Sequence, residues 1–400
     1  MKDVRELASR AQGEAVEFLR DLIRIPSPSG DEARVVEAIA QRMREGGFDE
    51  VLIDPFGNVL GRIGRGRRAI AFDAHVDTVG VGDPGLWTVD PFEGVLRDGI
   101  VYGRGASDQK GGMAALVYAG RILKEIGLGG DLTVWIVGSV LEEDCDGLCW
   151  NYILTEKEIE PEVVVLTEPT NLHVYRGHRG RMEIEITTRG ISCHGSAPER
   201  GVNAIHRMAP ILGGVERLNA RLASDPFLGK GSVTVSEIRS TAPSLCAVAD
   251  SCSIHLDRRL TLGETEQVAI SEIEEIVAGM RQGGAIEVEI PQFTRPSHTG
   301  LVYPMRQYFP AWALPADSLH VELALKARRL ALGEEGDAGR WIFSTNGVAT
   351  MGLHRVPTIG FGPASEVHAH APTDQCPAAD IGAAIAFYAQ FALLCAGDRP

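Results

Sequence analysis

Three nearly continuous runs of apolar and β-branched residues stand out in the first half of the chain. They predict strands over 68–74, 133–140 and 162–169. Such strands are typical of a parallel sheet that helices cover on both faces. Apolar residues at helical spacing predict three such helices, over 3–24, 31–45 and 113–125. The sequence therefore predicts an α/β fold with a mostly parallel sheet.

The patterning changes near residue 180, where several segments begin to alternate polar and apolar residues. Alternation favours antiparallel strands with one exposed face. These predicted strands are 181–190, 232–238, 251–259 and 285–290, with predicted helices over 203–222 and 264–281 between them. A further helix near 318–331 resumes the first pattern. We expect an α/β domain formed by 1–180 and 292–400, interrupted by an inserted α+β domain with an open-faced sheet at 181–291.

Composition and charge exclude several classes of protein. A net charge of −15 argues against a nucleic-acid binder, which needs clustered Lys and Arg. The sequence has no apolar run of the ~18 residues that a membrane span needs. The amino-terminal segment has no apolar signal core, so we expect a cytoplasmic protein. Seven cysteines do not indicate a disulfide scaffold, and Cys145 and Cys149 have no second pair with which to form a metal site.

Histidine and acidic residues gather where the predicted strands end. Each has an ordinary explanation alone, such as a capping Asp or a hydrogen-bonded His. In α/β folds, however, ligands collect outside the carboxyl ends of the strands. The set comprises His75 and Asp77, Asp108 in a glycine-rich loop, the adjacent Glu142 and Glu143, Glu168, and a carboxyl-terminal His-Ala-His segment at 368–370.

This inventory suits two divalent cations that share a bridging carboxylate. It supplies one His and one terminal carboxylate for each cation, with one glutamate left over as a proton acceptor. Asp77 can hold the second ring nitrogen of His75. Nitrogen and oxygen ligands without thiolates fit Zn²⁺, and also Co²⁺ or Mn²⁺.

Six motifs occur in an order that resembles one family of dinuclear zinc hydrolases. That family includes aminoacylase, acetylornithine deacetylase, succinyl-diaminopimelate desuccinylase and glutamate carboxypeptidase. The motifs are FDAHVDTV, GRGASDQKGG, EED, LTEP, CHGSAPERGVNAI and AHAPTD. The runs EEDCDGLCW, RGHRGRMEIEI and CAVADSCSIHLDRRL resemble the subgroup of selenium-metabolism-linked hydrolases.

The resemblance implies a zinc-peptidase catalytic domain and a role for each matched residue. His75 and Glu168 would bind one metal, Glu143 and His370 the other, and Asp108 both. Glu142 would be the general base, and Asp77 would orient His75. The peptide bond after Asp108 is often cis in this family.

The resemblance also implies that the insert is a dimerisation or lid domain and that the protein is a homodimer. His194 would reach the developing oxyanion across the dimer interface. Arg259, with Arg258 as a rival, would bind a substrate carboxylate, near Asn346 and Gly347. Three features depart from the family pattern: Cys246 stands where Asn is expected, Ser344-Thr345-Asn346-Gly347 replaces the more usual Thr-Asp segment, and Asp374 replaces the commoner Glu.

The predicted reaction is hydrolysis of an amide bond in a small N-acyl or N-carbamoyl amino acid or a dipeptide with a free carboxylate. One alternative is an exopeptidase on short peptides. Another is a metal-dependent binding protein without turnover, against which the complete set of metal ligands and Glu142 argues. A two-metal phosphoesterase is disfavoured because no cluster of phosphate-binding bases is evident.

Overall fold

A nine-stranded mixed sheet forms the centre of the computed structural model, which describes residues 3–280 and 285–397. Four neighbouring strands run parallel: Leu132–Ser139, Arg68–His75, Val164–Leu166 and Thr358–Gly360. Antiparallel pairings extend the sheet at both sides, through Val59–Ile63 and Glu50–Ile53 on one side and Tyr175–His178 and Trp312–Ala313 on the other. Strand Gly339–Trp341 joins Tyr175–His178 in parallel. The predicted α/β fold with a mostly parallel sheet is confirmed.

Helices surround this sheet and enclose the main hydrophobic core. They are Val4–Ile23, Ala33–Glu45, Gly111–Ile126, Leu148–Thr155, Leu319–Leu332 and Ala378–Gly397. Shorter helical turns are Pro84–Leu86, Ala106–Lys110, Val348–Leu353 and Glu366–His368. The carboxyl-terminal helix is long and apolar enough to cross a membrane by length and composition alone. Here it packs against the first, third and fifth of these helices, as a core helix does.

The insert contains a second, fully antiparallel sheet of five strands. Four of its strands follow one another in space in the order Ser232–Thr241, Ser251–Leu260, Gly180–Arg189 and Ile286–Glu289. The fifth strand, Tyr308–Phe309, also pairs with Gly180–Arg189. Burial alternates along Gly180–Arg189 and Ser251–Leu260, because one face of the sheet packs on two helices. Those helices are Ala204–Arg221 and Glu266–Ala278. Residue 281, the last of the predicted helix 264–281, lies outside the described residues.

Two separate hydrophobic cores support a division of the chain into two domains. One core lies around the central sheet, and the other lies between the antiparallel sheet and its two helices. We propose the domain boundaries predicted from the sequence, 181–291 for the insert and 1–180 with 292–400 for the rest. Strand Tyr308–Phe309 follows the insert in sequence and still pairs with the insert's sheet. The chain that returns from the insert to the first domain is therefore hydrogen-bonded to that sheet.

The remaining strands form small local sheets. One of them matters for the site, because strand Gln375–Pro377 pairs with Ile100–Tyr102 and thereby joins the carboxyl-terminal segment to the glycine-rich loop. The others are Val95–Arg97, which extends that sheet, the pair Ser224–Asp225 and Gly229–Lys230, and the pair Gln292–Phe293 and Met305–Arg306.

Candidate metal centre and substrate cavity

A cavity of about 320 Å³ lies at the carboxyl ends of the parallel strands. Its volume is within the range of small-molecule sites. All five predicted metal ligands and Glu142 line it, together with residues of the insert and of the carboxyl-terminal third. The full lining is His75, Asp108, Glu142, Glu143, Asp146, Glu168, Arg181, Arg259, Phe343, Ser344, Glu366, Ala369 and His370.

The five predicted ligands approach each other around Asp108. One carboxylate oxygen of Asp108 lies 2.9 Å from His75 Nε2, and the other lies 3.3 Å from His370 Nε2. Glu168 Oε1 is 3.8 Å from His75 Nε2, and Glu143 Oε2 is 2.9 Å from His370 Nε2. Each oxygen of Asp108 therefore faces one His, which is the arrangement that a bridging carboxylate needs.

Local backbone geometry brings these side chains to the cavity. His75 ends a parallel strand, and Leu141 has a φ of 60°, which turns the chain so that the next two glutamates follow the strand into the site. The peptide bond between Asp108 and Gln109 is cis, as the resemblance implies. Gly112 allows the helix after Asp108 to approach the strand of Glu168, since a Cβ there would lie 2.2 Å from Thr167 Oγ1.

Asp77 contacts both His75 and the backbone of the glutamate pair. His75 Nδ1 lies 3.0 Å from the Asp77 carbonyl oxygen, which can only accept, and 3.5 Å from the Asp77 carboxylate. Nδ1 therefore carries the proton and Nε2 is free to bind a cation. The Asp77 carboxylate also accepts hydrogen bonds from the backbone N–H groups of Glu142 and Glu143, at 3.2 and 3.1 Å. Asp77 thus fixes the glutamates as well as the ring.

The electrostatics of the cavity fit a pair of cations. Burial raises the pKa values of Glu142 and Glu168 well above the usual range, and raises the pKa of Glu143 to about 7. Burial would also raise the pKa of Asp108, but the contacts of its two oxygens with His370 and His75 outweigh burial and lower that pKa. Glu143 Oε1 is buried without a hydrogen-bond partner among the described residues. Crowded carboxylates with an unsatisfied oxygen are what divalent cations stabilise.

The predicted substrate-binding arginine also lines the cavity. Arg259 forms two hydrogen bonds with Asp257, at 2.7 and 2.9 Å, and its side chain stays 29% exposed. Its rival Arg258 is fully buried and pairs with Glu264 and Glu272 instead. The geometry therefore favours Arg259 over Arg258 as the group that meets a substrate.

The structure does not bring Asn346 or Gly347 to the cavity surface. Asn346 is 1% exposed, and its amide donates to Asp73 and Ser139 at 2.8 and 3.1 Å. The side-chain oxygen Oδ1 of Asn346 accepts a hydrogen bond from the backbone N–H of Gly147 at 2.9 Å. Because the side-chain amide of Asn346 forms its hydrogen bonds with Asp73, Ser139 and Gly147, it holds the strands of Asp73 and Ser139 in place and is not free to bind a substrate. Phe343 and Ser344 of the same segment reach the cavity.

His194 lies away from the cavity, in a separate surface depression of the insert. The backbone of His194 pairs with Ala247 in an isolated antiparallel bridge. The Nδ1 atom of His194 accepts two hydrogen bonds from Ser196, one from the backbone N–H at 3.1 Å and one from the hydroxyl at 2.7 Å. Cys246, which replaces the expected Asn, lines the same depression and is exposed. Within one chain, neither residue reaches the metal centre.

Asp374 fixes the glycine-rich loop that precedes Asp108. Its carboxylate accepts from the backbone N–H groups of Gly105 and Ser107, at 2.7 and 2.8 Å, and pairs with Arg104 at 3.1 Å. Burial raises the pKa of Asp374 to about 6. The shorter Asp therefore still binds the loop.

Four charged or polar residues of the cavity were not predicted from the sequence. They are Asp146, Arg181, Ser344 and Glu366. Arg181 begins the alternating strand of the insert, and Asp146 follows the glutamate pair by three residues, so proximity to a motif was the available signal. Glu366 precedes the predicted ligand His370 by four residues and Ser344 precedes Asn346 by two, so the same signal was available for both.

A family model decides the relationship of the chain to known proteins. The model of "Peptidase family M20/M25/M40" matches residues 71–394, a stretch that contains every predicted site residue. The chain belongs to this family. M20 peptidases are metal-dependent hydrolases of amide and peptide bonds, and so is this protein.

Individual M20 relatives cover nearly the whole chain. A protein of Escherichia coli K12 named "Uncharacterized protein YgeY" is 51% identical over 98% of this chain and 97% of its own length. An acetylornithine deacetylase of Photorhabdus laumondii is 26% identical over 90% of this chain and 91% of its own. The Bacillus subtilis protein YXEP, described as a dinuclear metal binding peptidase, superposes with a TM-score of 0.71 at 14% identity, over 97% of this chain and 99% of that one.

Proposed function

We propose that this M20 peptidase hydrolyses the amide bond of a small N-acyl amino acid or dipeptide, with two Zn²⁺ ions as cofactors. The single observation that carries the proposal is the placement of both Asp108 oxygens between two histidines, in a cavity that Glu142, our proposed general base, also lines. His75 and Glu168 would hold one ion and Glu143 and His370 the other. Bound ions of this kind lower the pKa of water and polarise a carbonyl oxygen.

The residues of the chain suffice for the proton transfers of the reaction. Glu142 is 5% exposed, lines the cavity and lies 3.9 Å from His75, so it is near the ligands without the short contact that Glu143 makes. We propose that Glu142 takes a proton from the attacking water and then gives it to the leaving nitrogen. Burial raises the pKa of Glu142, which favours retention of the proton until the leaving nitrogen takes it.

Substrate recognition and assembly extend the proposal. Arg259 would bind a free carboxylate of the substrate, because a guanidinium fork matches a carboxylate geometrically. His194 would reach the cavity of a partner subunit in a homodimer formed through the insert. A cytoplasmic location agrees with seven cysteines that are all described and all free.

Two alternatives stay open under the same fold. An exopeptidase on short peptides would use the same metal centre with a longer substrate, and the cavity volume favours small molecules over peptides of many residues. A binding protein without turnover is disfavoured by the full set of ligands together with Glu142.

Hydrolysis of a compound library tests the function directly. Protein loaded with Zn²⁺, Co²⁺ or Mn²⁺ is incubated with N-acyl amino acids, N-carbamoyl amino acids and dipeptides, and released amine is measured. We expect turnover of small amides that carry a carboxylate, its loss after treatment with a chelator, and its return on adding metal. Calorimetric binding of these compounds without any chelator-sensitive product would favour the binding protein.

A further inference from the structure

The charges of the cavity outside the metal centre are unevenly compensated. Arg259 already has Asp257 as a bidentate partner. Arg181 lies between two carboxylates, 3.4 Å from Asp146 and 3.4 Å from Glu183. The positive charges of this wall are therefore each balanced by acidic residues before any substrate enters.

Glu366 is a carboxylate of the cavity that takes part in none of these ion pairs. It lies in the helical turn Glu366–His368, just before the ligand His370, and it lines the cavity. Its Oε2 atom is buried and has no hydrogen-bond partner among the residues that the structure describes. A buried oxygen without a donor costs free energy unless a ligand supplies one.

We infer that Glu366 binds a protonated amino group of the substrate, so that the preferred substrate carries both an ammonium group and a carboxylate. This inference rests on the proposed function and narrows its substrate class. It favours dipeptides with a free α-amino group and acylated diamino acids over simple N-acyl or N-carbamoyl amino acids.

Charge balance is the physical reason for this preference. An N-acyl amino acid brings only a negative charge to a wall where Glu366 is already uncompensated. A zwitterion adds no net charge, because its ammonium group would pair with Glu366 while its carboxylate would meet Arg259, which Asp257 already contacts. Burial raises the pKa of Glu366, as expected for a carboxylate without a cationic neighbour, and a bound ammonium group would reverse that effect.

Two matched pairs of compounds test the inference and locate the amino group. Glycyl-L-alanine and N-acetyl-L-alanine differ only by an amino group on the acyl side of the bond. Nα-acetyl-L-ornithine and Nα-acetyl-L-norvaline differ only by an amino group on the amino-acid side chain. At pH 7 we expect a kcat/KM about 10- to 100-fold higher for the amino compound of at least one pair, the range of a charge-assisted hydrogen bond.

The variant Glu366→Gln removes the charge and keeps the size of the side chain. We expect it to reduce the ratio of kcat/KM within the responsive pair by at least about tenfold. Glu160→Gln is the matched control, because Glu160 is exposed on a surface loop and its replacement should leave the ratio unchanged. Metal content and melting temperature of both variants establish that the site is intact.

Binding measurements separate failure of this inference from failure of the proposed function. Calorimetry with metal-loaded Glu142→Gln protein records the affinity for each compound without turnover, and the same preference for the amino compound is expected. Equal kcat/KM and equal affinity within both pairs would overturn the ammonium site while leaving amide hydrolysis in place. Absence of turnover in the wild type, with the binding preference retained, would overturn the hydrolase and keep the ammonium site.

Discussion

Two adjacent glutamates at the end of one strand have different surroundings, and we propose a different role for each. Glu143 lies 2.9 Å from His370 and close to Asp108, which supports the ligand role that we propose for it. Glu142 lies 3.9 Å from His75, about as far as Glu168 at 3.8 Å, so the proposed role of Glu142 as the base rests on the family motif and not on this distance. The Asp77 carboxylate fixes the backbone of both residues, which prevents them from exchanging positions.

Replacing Glu142 by Gln is therefore expected to abolish turnover and to leave metal binding intact. Gln keeps the size of the side chain but cannot accept a proton, and general acid–base catalysis contributes about 10²–10⁴-fold. Rates are measured on the best substrate of the library, and metal content is measured by atomic emission. Near-normal turnover in this variant would reject Glu142 as the base, and loss of metal would reassign it as a ligand.

At the level of single residues, the structure brings all five predicted metal ligands to one cavity but only Arg259 of the three predicted substrate contacts. His75, Glu143 and Glu168 follow strands whose ends must meet at one edge of the sheet, so their convergence follows from the fold. Asn346 lies in a loop and Glu366 in a single helical turn, where side-chain orientation depends on tertiary contacts. The amide of Asn346 points to Asp73 and Ser139 rather than to the cavity, which no sequence pattern indicates.

At the level of elements, long periodic segments were predicted closely and short ones were missed. The predicted helix 3–24 is Val4–Ile23, and the predicted strand 133–140 is Leu132–Ser139. The predicted strand 162–169 pairs only over Val164–Leu166, because its apolar residues continue into the loop of Glu168. Helix Leu148–Thr155 has only eight residues and was not predicted, since two turns give little periodicity.

A buried histidine ties three separate elements together behind the cavity. His178 ends strand Tyr175–His178, and its Nε2 accepts hydrogen bonds from Trp312 Nε1 at 2.7 Å and from the N–H of Thr345 at 3.3 Å. Its Nδ1 lies 2.8 Å from the carbonyl oxygen of Arg179. Burial lowers the pKa of His178 to about 4, because a charged ring would be desolvated and would lose both donors.

We predict that His178 makes the fold sensitive to acid between pH 6.5 and pH 4. In this window the unfolded histidine binds a proton and the folded one does not, so the free energy of unfolding falls as pH falls. The full effect is about 3 kcal/mol. Urea unfolding at a series of pH values measures it, and the slope should decrease in His178→Gln. His173→Gln, at an exposed position, should keep the wild-type slope.

At the level of the whole molecule, a single chain does not bring every predicted active-site residue to the cavity, because His194 lies elsewhere. Arg181 and Arg259 of the insert reach the cavity, whereas His194 of the same insert lies in a depression of its own. Strand Ser232–Thr241 lies at the edge of the insert sheet, and Ile238 on it is 52% exposed. An unpaired edge strand with an exposed apolar residue is suited to association with a second copy.

If His194 acts across a dimer, two inactive variants should restore each other's activity. His194→Ala should lower kcat by about 10²–10³-fold, as does loss of one oxyanion donor. In a mixed dimer of His194→Ala with Glu142→Gln, one of the two cavities combines an intact Glu142 with an intact His194. Co-expression in equal amounts then gives about a quarter of the wild-type activity, since half of the dimers are mixed and each has one intact cavity. Mixed dimers that form, as verified with two affinity tags, yet remain inactive would place the function of His194 within its own chain.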